Sequence, residues 1–233
     1  MREIVLDTET TGLDPQDGHR IVEIGAVELY NHVPTGKVYH QYINPLISMP
    51  DQAFAIHGLS DEFLSDKPKF SEIAKEFLDF IGSAKLVIHN AAFDIKFINA
   101  ELKSIDEEEI TFDRATDTLA IARKKFPGSP ASLDSLCRRF KIDNSARVVH
   151  GALLDSQILA EVYLELVGGK QPDFALNIPN SSNENNNSIF SEKGARFRKE
   201  KLKSRLTTEE KANHEKFIQK LGNDSMWSKI LKS

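Results

Sequence analysis

Two acids stand two residues apart near the start of the chain, in Ile4-Val5-Leu6-Asp7-Thr8-Glu9-Thr10-Thr11-Gly12. The apolar run before them predicts a strand over residues 4–7. Alternate residues of a strand share a face, so Asp7 and Glu9 project together while Thr8 turns away. Two like charges at the end of an apolar run lose hydration and repel each other, so they demand a positive neighbour. A hard divalent cation meets that demand. Mg²⁺ and Mn²⁺ prefer carboxylate oxygens, and two acids on one strand face can serve two ions about 3.5–4 Å apart, an arrangement that cleaves phosphodiesters. Alone, the pair beside Thr-Thr-Gly also suits an exposed turn, so the reading rests on what else the chain places nearby.

Asp94 follows a buried strand, Leu86-Val87-Ile88, and the stretch His89-Asn90-Ala91-Ala92-Phe93. It falls in the first turn of a helix that runs to about residue 102, which aims it at the C-terminal edge of the sheet, where ligands gather in α/β folds. Asp155 belongs to a helix over 152–167 and shares a stripe with Leu159, Val162 and Leu166, at offsets of four, seven and eleven. That stripe faces inward, where an unpaired carboxylate is costly and a metal would account for it. His150 lies five residues earlier, on a loop hinged by Gly151, and can reach the same point. With its intrinsic pKa of about 6.5, a histidine there can take a proton from water near neutral pH. Asp7, Glu9, Asp94 and Asp155 are therefore the expected ligands of two divalent metal ions, Mg²⁺ or Mn²⁺, with His150 as general base.

These residues need a scaffold to bring them together. Strand-like stretches over 4–7, 21–30 and 37–43 have short connections, and Asn31-His32-Val33-Pro34-Thr35-Gly36 is rich in turn residues, so the three form an antiparallel meander. Helices follow over 50–56, after Ser60-Asp61-Glu62, and over 70–81, where Phe70, Ile73, Ala74, Phe77, Leu78 and Ile81 keep helical spacing before Gly82. A further strand is expected over 111–115 and helices over 118–125, 132–140 and 152–167. The class is α/β: a mixed five-stranded sheet flanked by helices.

With 233 residues, 40% apolar and 28% charged, the chain can build one sizeable core. No apolar run nears the roughly 20 residues of a membrane span, and a cytoplasmic location is expected. The lone Cys137 excludes disulfides and cysteine metal clusters and reads as a small core hydrophobe. The net charge of −5 hides an asymmetry: residues 190–233 hold 12 Lys+Arg against 6 Asp+Glu, leaving 18 basic against 29 acidic in 1–189. If this acidic front part works on nucleic acid, it lacks the usual basic surface, and metals and a partner must help hold the substrate. The domain is expected to end at residue 169. An Asn-rich flexible linker follows over 170–189, then a basic run over 193–205, and then a helix opened by Thr207-Thr208-Glu209-Glu210. That last segment is too short to fold alone and is expected to dock on another protein.

Asp7-Thr8-Glu9-Thr10-Thr11-Gly12-Leu13, Ile56-His57-Gly58-Leu59-Ser60, His89-Asn90-Ala91-Ala92-Phe93-Asp94 and His150-Gly151-Ala152-Leu153-Leu154-Asp155 occur in this order. Together they resemble the DEDDh exonucleases and, more closely, the family of epsilon proofreading subunits of bacterial DNA polymerase III, over essentially residues 1–170. The resemblance implies a ribonuclease-H-like fold and hydrolysis of the 3′-terminal phosphodiester of DNA, releasing monophosphates. It implies that Thr10, Leu13, His57, Asn90 and Phe93 bind the terminal nucleotides. It also implies that 171–176 contacts the sliding clamp, with Phe174 where Leu or Met is usual and Leu176 where an aromatic is usual. The polymerase alpha subunit would be bound through 190–233, with Trp227 as an anchor. Outside the motifs, His89 reads as a loop-fixing residue, Asp113 and Asp117 as caps, and His19, His32 and His40 as without a role. A free-standing RNA-trimming nuclease would share every catalytic residue, and a non-catalytic adaptor would share the fold.

Overall fold

The first strand, β1 (Arg2–Thr10), builds two cores at once, because its alternate residues are apolar on both sides. Ile4 and Leu6 enter one buried cluster and Val5 the other. The structure, a computed structural model, describes residues 1–147, 149–168 and 206–221. Around β1 the chain lays β2 (Ile21–Tyr30), β3 (Val33–Tyr42), β4 (Lys85–Ile88) and β5 (Ala115–Asp117) in the order β3-β2-β1-β4-β5. The pairs β1–β2 and β2–β3 are antiparallel, whereas β1–β4 and β4–β5 are parallel. The expected meander and mixed five-stranded sheet are both present.

The helices are α1 (Asp51–His57), α2 (Asp61–Leu64), α3 (Phe70–Ile81), α4 (Ala91–Lys103), α5 (Thr118–Lys125), α6 (Leu133–Phe140) and α7 (Ala152–Val167). Phe70, Phe77 and Ile81 of α3 and Phe97, Ile98 and Leu102 of α4 cover the side of the sheet that carries Ile4 and Leu6. Ala122 of α5, Leu136 and Cys137 of α6 and Leu159, Val162 and Leu166 of α7 cover the side that carries Val5. Cys137 is fully buried among these apolar neighbours.

Three boundaries differ from the sequence expectation. The strand expected to stop at Asp7 continues to Thr10, with a register irregularity between Glu9 and Thr10, so both acids lie inside paired strand. The turn before β3 contains only Asn31 and His32, both at positive φ (51° and 66°), and Val33 already pairs with Tyr30. Two consecutive left-handed residues make the tight hairpin that matches strand twist. The fifth strand occupies Ala115–Asp117 rather than 111–115, because Phe112–Arg114 form a 3₁₀ turn first.

The chain divides into two units, Met1–Leu176 and Asn177–Ser233. In the second, α8 (Thr208–Leu221) opens on a reciprocal cap: Glu210 N–H donates to Thr207 Oγ1 (3.2 Å), and Thr207 N–H donates to the Glu210 carboxylate (2.7 Å). Phe217 and Leu221 lie one turn apart and are exposed. The expected linker, the clamp-contact segment 171–176, the basic run 193–205 and Trp227 lie outside the described residues.

One glycine decides how closely α7 approaches the sheet. A Cβ on Gly25 of β2 would lie 2.2 Å from the backbone of Ala152 and Leu153. The Gly25 carbonyl also accepts a hydrogen bond from Ser156 Oγ (2.8 Å). Any side chain at position 25 must push away the helix start that carries Asp155. Gly25→Ala is therefore expected to destabilise the fold by about 1–3 kcal/mol and to lower catalytic activity, measured by urea unfolding and by nuclease rate. Unchanged values for both would show that the contact does not position α7.

Candidate active site

The parity of β1 sorts the predicted residues. Asp7 and Glu9 share the side of Val5, which faces α7, and Thr8 shares the opposite side with Ile4 and Leu6, which faces α4. From the α7 side come Asp155, in the first turn of its helix, and His150, on the loop before it. Glu9, His150 and Asp155 each offer one ligand atom, and these atoms lie within 4.8 Å of one another. From the other side comes Asp94, in the first turn of α4, buried and held by Thr8, whose Oγ1 donates to Asp94 Oδ1 at 2.7 Å. Thr8 thus turns away from Asp7 and Glu9, as expected, yet still serves the same site. Asp7, Glu9, Asp94, His150 and Asp155 all line one cavity of about 470 Å³.

Their electrostatics are those of a crowded anion site. Burial, then the charges of Asp94, Glu9 and Asp155, push Asp7 well above the ordinary carboxylate range. Burial, with Asp155, Glu23 and Asp94 adding repulsion, pushes Glu9 to about 8. Burial pushes Asp94 to about 7, although the Thr8 hydrogen bond works against it. Asp155 behaves differently. Burial raises it, but hydrogen bonds and charge from His150 and Arg147 outweigh burial and hold it below the usual value. Three carboxyl groups kept from ionising by burial and mutual repulsion are what a divalent cation relieves, and an oxygen-rich set with one imidazole suits Mg²⁺ or Mn²⁺.

Arg147 carried no sequence signal and stands at the centre of the site. Its Nε and Nη2 donate to Asp155 Oδ1 and Oδ2 (2.5 and 2.7 Å), and its Nη1 donates to Asp134 Oδ1 (2.8 Å). Nη2 also lies 2.7 Å from His150 Nδ1. His150 itself is 47% exposed at the cavity mouth, and its backbone N–H donates to the Ile56 carbonyl of α1 (3.1 Å).

A second cavity, of about 500 Å³, adjoins the first and shares Thr8, Glu9 and Phe93 with it. Thr10, Leu13 and His57 line it. Leu13 stands 83% exposed at the rim. His57 is buried, with Nδ1 accepting from the Leu59 N–H (3.1 Å), while its buried Nε2 has no hydrogen-bond partner. Burial holds His57 below the ordinary histidine value, so the ring is neutral, and with Nδ1 accepting, Nε2 carries the proton. Asn90 lines neither cavity. It is exposed in the left-handed region (φ 70°) before α4, and its N–H donates to Asp117 Oδ1 (3.1 Å). Asp117 also caps α5 through the Leu119 N–H, and His89 Nδ1 lies 2.9 Å from Thr118 Oγ1, both in the structural roles read from sequence. Asp113, in the 3₁₀ turn, lines neither cavity.

Comparison with known proteins agrees with this geometry. The sequence profile of a family described as "Exonuclease" matches residues 4–163. DNA polymerase III subunit epsilon of Rickettsia prowazekii is 53% identical over 224 residues, spanning 95% of this chain and 97% of that protein. The subunit of the same name from Escherichia coli is 47% identical over 236 residues, spanning 97% of each. Among solved structures, Exonuclease X in complex with 5′ overhanging duplex DNA aligns with TM-score 0.57 at 24% identity, covering 71% of this chain and 90% of that one. The nuclease domain of a DEDDh family member bound to rAMP aligns with TM-score 0.60 at 20% identity, covering 71% and 91%. Those two likenesses concern the fold, which is ribonuclease-H-like. The identity to the named subunits extends over nearly the whole length, and the chain, with its exonuclease domain over residues 4–163, belongs to the family of DNA polymerase III epsilon subunits.

Proposed function

We propose that this chain is the 3′–5′ proofreading exonuclease of a replicative DNA polymerase III and that the cavity beside β1 is where it cleaves. The observation that carries the reading is the convergence of Asp7, Glu9, Asp94, Asp155 and His150 on one cavity, in a chain of the epsilon family. Exonucleases of this family depend on divalent metal. Here Asp7, Glu9, Asp94 and Asp155 would hold two ions, Mg²⁺ or Mn²⁺. When bound, these ions supply charge neutralisation at the scissile phosphate and acidify water.

The chain's own residues do the rest. His150, exposed at the cavity mouth, accepts the proton of the attacking water. The new bond joins that water's oxygen to phosphorus, and the bond from phosphorus to the 3′ oxygen of the shortened strand breaks, releasing a nucleoside monophosphate. Thr8 fixes Asp94 through its hydroxyl. In the adjoining cavity Phe93 offers a face for a base, and base–aromatic stacking is worth about 1–3 kcal/mol per base and tolerant of sequence. Leu13 projects at the rim as a wedge, Thr10 lines the wall, and His57 Nε2–H aims a buried donor at an oxygen of the terminal nucleotide. Asn90 contributes by holding the turn that places Phe93 and Asp94. A frayed mismatch enters such a single-strand site more readily than a paired end, because less unpairing energy is spent.

The tail supplies the attachment. Residues 190–233 bind the polymerase alpha subunit and 171–176 the sliding clamp. A capped helix with Phe217 and Leu221 exposed one turn apart supports the first assignment. A tether of this kind has no use in a self-sufficient RNA trimmer, and a pure adaptor has no use for four converging carboxyl groups. No described helix is long and apolar enough to cross a membrane.

The deciding experiment digests 3′-labelled single-stranded DNA and RNA of one sequence with Mg²⁺ or with chelator. Metal-dependent release of monophosphates favouring DNA is expected. RNA preference moves the chain to the trimmers, and inactivity on both revives the adaptor. In the same assay Asp7→Ala and Asp155→Asn should abolish cleavage, and His150→Ala should slow it by about 10²–10⁴. Unchanged turnover in either Asp variant would refute the metal assignment.

A pH dependence follows from the raised carboxyl groups. Glu9 rises from 4.5 to about 8 and Asp94 from 3.8 to about 7 in the folded chain. Between these limits the two carboxyl groups hold more protons in the folded state than in the unfolded one, so their contribution to metal-free stability falls as pH rises, and above about pH 6.5 the lowered His57 and His89 no longer oppose it. With chelator, the melting temperature should drop from about pH 5 to pH 8, and Mg²⁺ should restore more of it at pH 8 than at pH 5. Glu9→Gln should flatten the curve; a melting temperature that is level or rising across this window in the wild type would contradict the electrostatics. Finally, removing 190–233 should spare cleavage of free single strands and end co-elution with the alpha subunit; a truncated chain that still co-elutes places the contact elsewhere.

A further inference from the structure

Among the described residues, Arg147 is the one Arg or Lys bonded to the acids of the site, and it grips Asp155 with two bonds. A two-pronged guanidinium takes one lone pair from each carboxylate oxygen, so an ion on the same oxygens is left the remaining lone pairs and sits close to the guanidinium charge. Here both oxygens of Asp155 are engaged at once, by Nε and Nη2 at 2.5 and 2.7 Å, and Nη2 also reaches His150 Nδ1 at 2.7 Å. The same Asp155 and His150 belong to the trio whose ligand atoms lie within 4.8 Å of one another. The guanidinium and a divalent cation therefore contend for the same donors, and as like charges they repel each other there.

From this geometry we infer that Arg147 is a built-in stand-in cation, which occupies Asp155 and caps His150 and is displaced when a divalent ion takes the site. The inference rests on the metal reading above. Two features give it mechanical substance. First, the guanidinium covers His150 at close range, with Nη2 2.7 Å from Nδ1. That face of the ring stays covered until Arg147 leaves. Second, Arg147 has somewhere to go. Its Nη1 is already paired with Asp134, whose side chain is 48% exposed and is steadied by Asn144 Nδ2 (3.0 Å). Arg147 itself is delivered by a tight turn, its N–H donating to the Asn144 carbonyl (3.0 Å), so a small rotation can leave the guanidinium on Asp134 alone. Arg147 thus sets how tightly metal binds and couples metal arrival to release of the base.

The test is Mn²⁺ binding to the full chain, with free Mn²⁺ counted by its electron paramagnetic resonance signal, in the wild type, Arg147→Gln, Arg147→Lys and Asp155→Asn. A competitor predicts that Arg147→Gln binds Mn²⁺ about tenfold more tightly. A supporting residue predicts the opposite, a loss of about 10- to 100-fold, and that result or an unchanged affinity overturns the proposal. Should Arg147→Gln fail to fold, Arg147→Lys, which keeps the charge but loses the two-pronged grip, carries the same test: tighter binding supports displacement, and equal or weaker binding overturns it. If the wild type binds Mn²⁺ no better than Asp155→Asn does, the metal reading itself fails and takes this proposal with it. In the wild type, saturating Mg²⁺ should also shift the ¹⁵N resonances of the His150 ring and of Arg147 Nε. Static resonances for both would show that the contact survives metal binding and would overturn the displacement.

Discussion

Repulsion among buried carboxyl groups is the constraint to which the rest of this structure answers. Four acids cannot ionise together in one cavity unless each receives a positive or hydrogen-bonding neighbour, because burial and like charge both disfavour the anion. The chain provides those neighbours from separate elements: Thr8 for Asp94, and Arg147 for Asp155. Even the acid behind the site is treated this way. Glu23 faces Glu9 across the β1–β2 pair and is itself held by His40 Nε2 at 2.7 Å, so a histidine read from sequence as idle quiets a charge one strand away. No hydrogen bond of this kind reaches the Asp7 or Glu9 carboxyl among the described residues, and burial with neighbouring acids pushes both toward the neutral form. The site is left unsatisfied where the metals would act, a local instability of the kind that functional centres keep.

The framework tolerates this because the stabilising burial lies elsewhere. The sheet is apolar on both sides, with α3 and α4 closing one and α5, α6 and α7 the other. Gly25 is the point where this framework and the site meet. Only a residue without a Cβ lets α7 lie directly on β2, and that contact sets the depth of Asp155 relative to Asp7 and Glu9. Packing therefore decides a catalytic distance at a residue that carries no chemistry.

How much of this was legible follows from the range of each signal. The facing of Asp7 and Glu9 comes from a two-residue period and that of Asp155 from a helical stripe, both local patterns, and both are found in the structure. The strand Ala115–Asp117 has three residues and no apolar run, so the expectation settled on the neighbouring Thr111-Phe112 instead. The hairpin at Asn31-His32 looked longer because Pro34 and Gly36 mimic turn residues while lying within β3, Pro34 paired with Leu29 and Gly36 in the irregular stretch before Val38. Arg147 had no pattern at all. A single arginine after Ser145-Ala146 resembles any solvated loop, and only the folded chain places it against Asp155, eight residues on, and Asp134, thirteen back. The pairing of Thr8 with Asp94 spans 86 residues and is equally beyond a local period.

The compensating groups fall into two kinds, and the difference bears on how such a site can work. Asp94 and Asp155 both sit in the first turn of a helix, where the backbone carries a partial positive charge that favours an anion. That charge, like the Thr8 hydroxyl, is fixed to the fold and is only partial. It can lower the cost of burying an anion but not cancel it, which is why burial keeps Asp94 raised to about 7 despite its hydrogen bond. Full charges come only from groups that can move: a side chain on a loop, or an ion from solution. Arg147 is of that kind, on the turn between α6 and α7. Permanent partial charges offset part of the repulsion, while under the displacement proposed above the full charge of Arg147 is the exchangeable part. A site neutralised entirely by fixed groups would be more stable and would have no remaining appetite for the ions its chemistry requires.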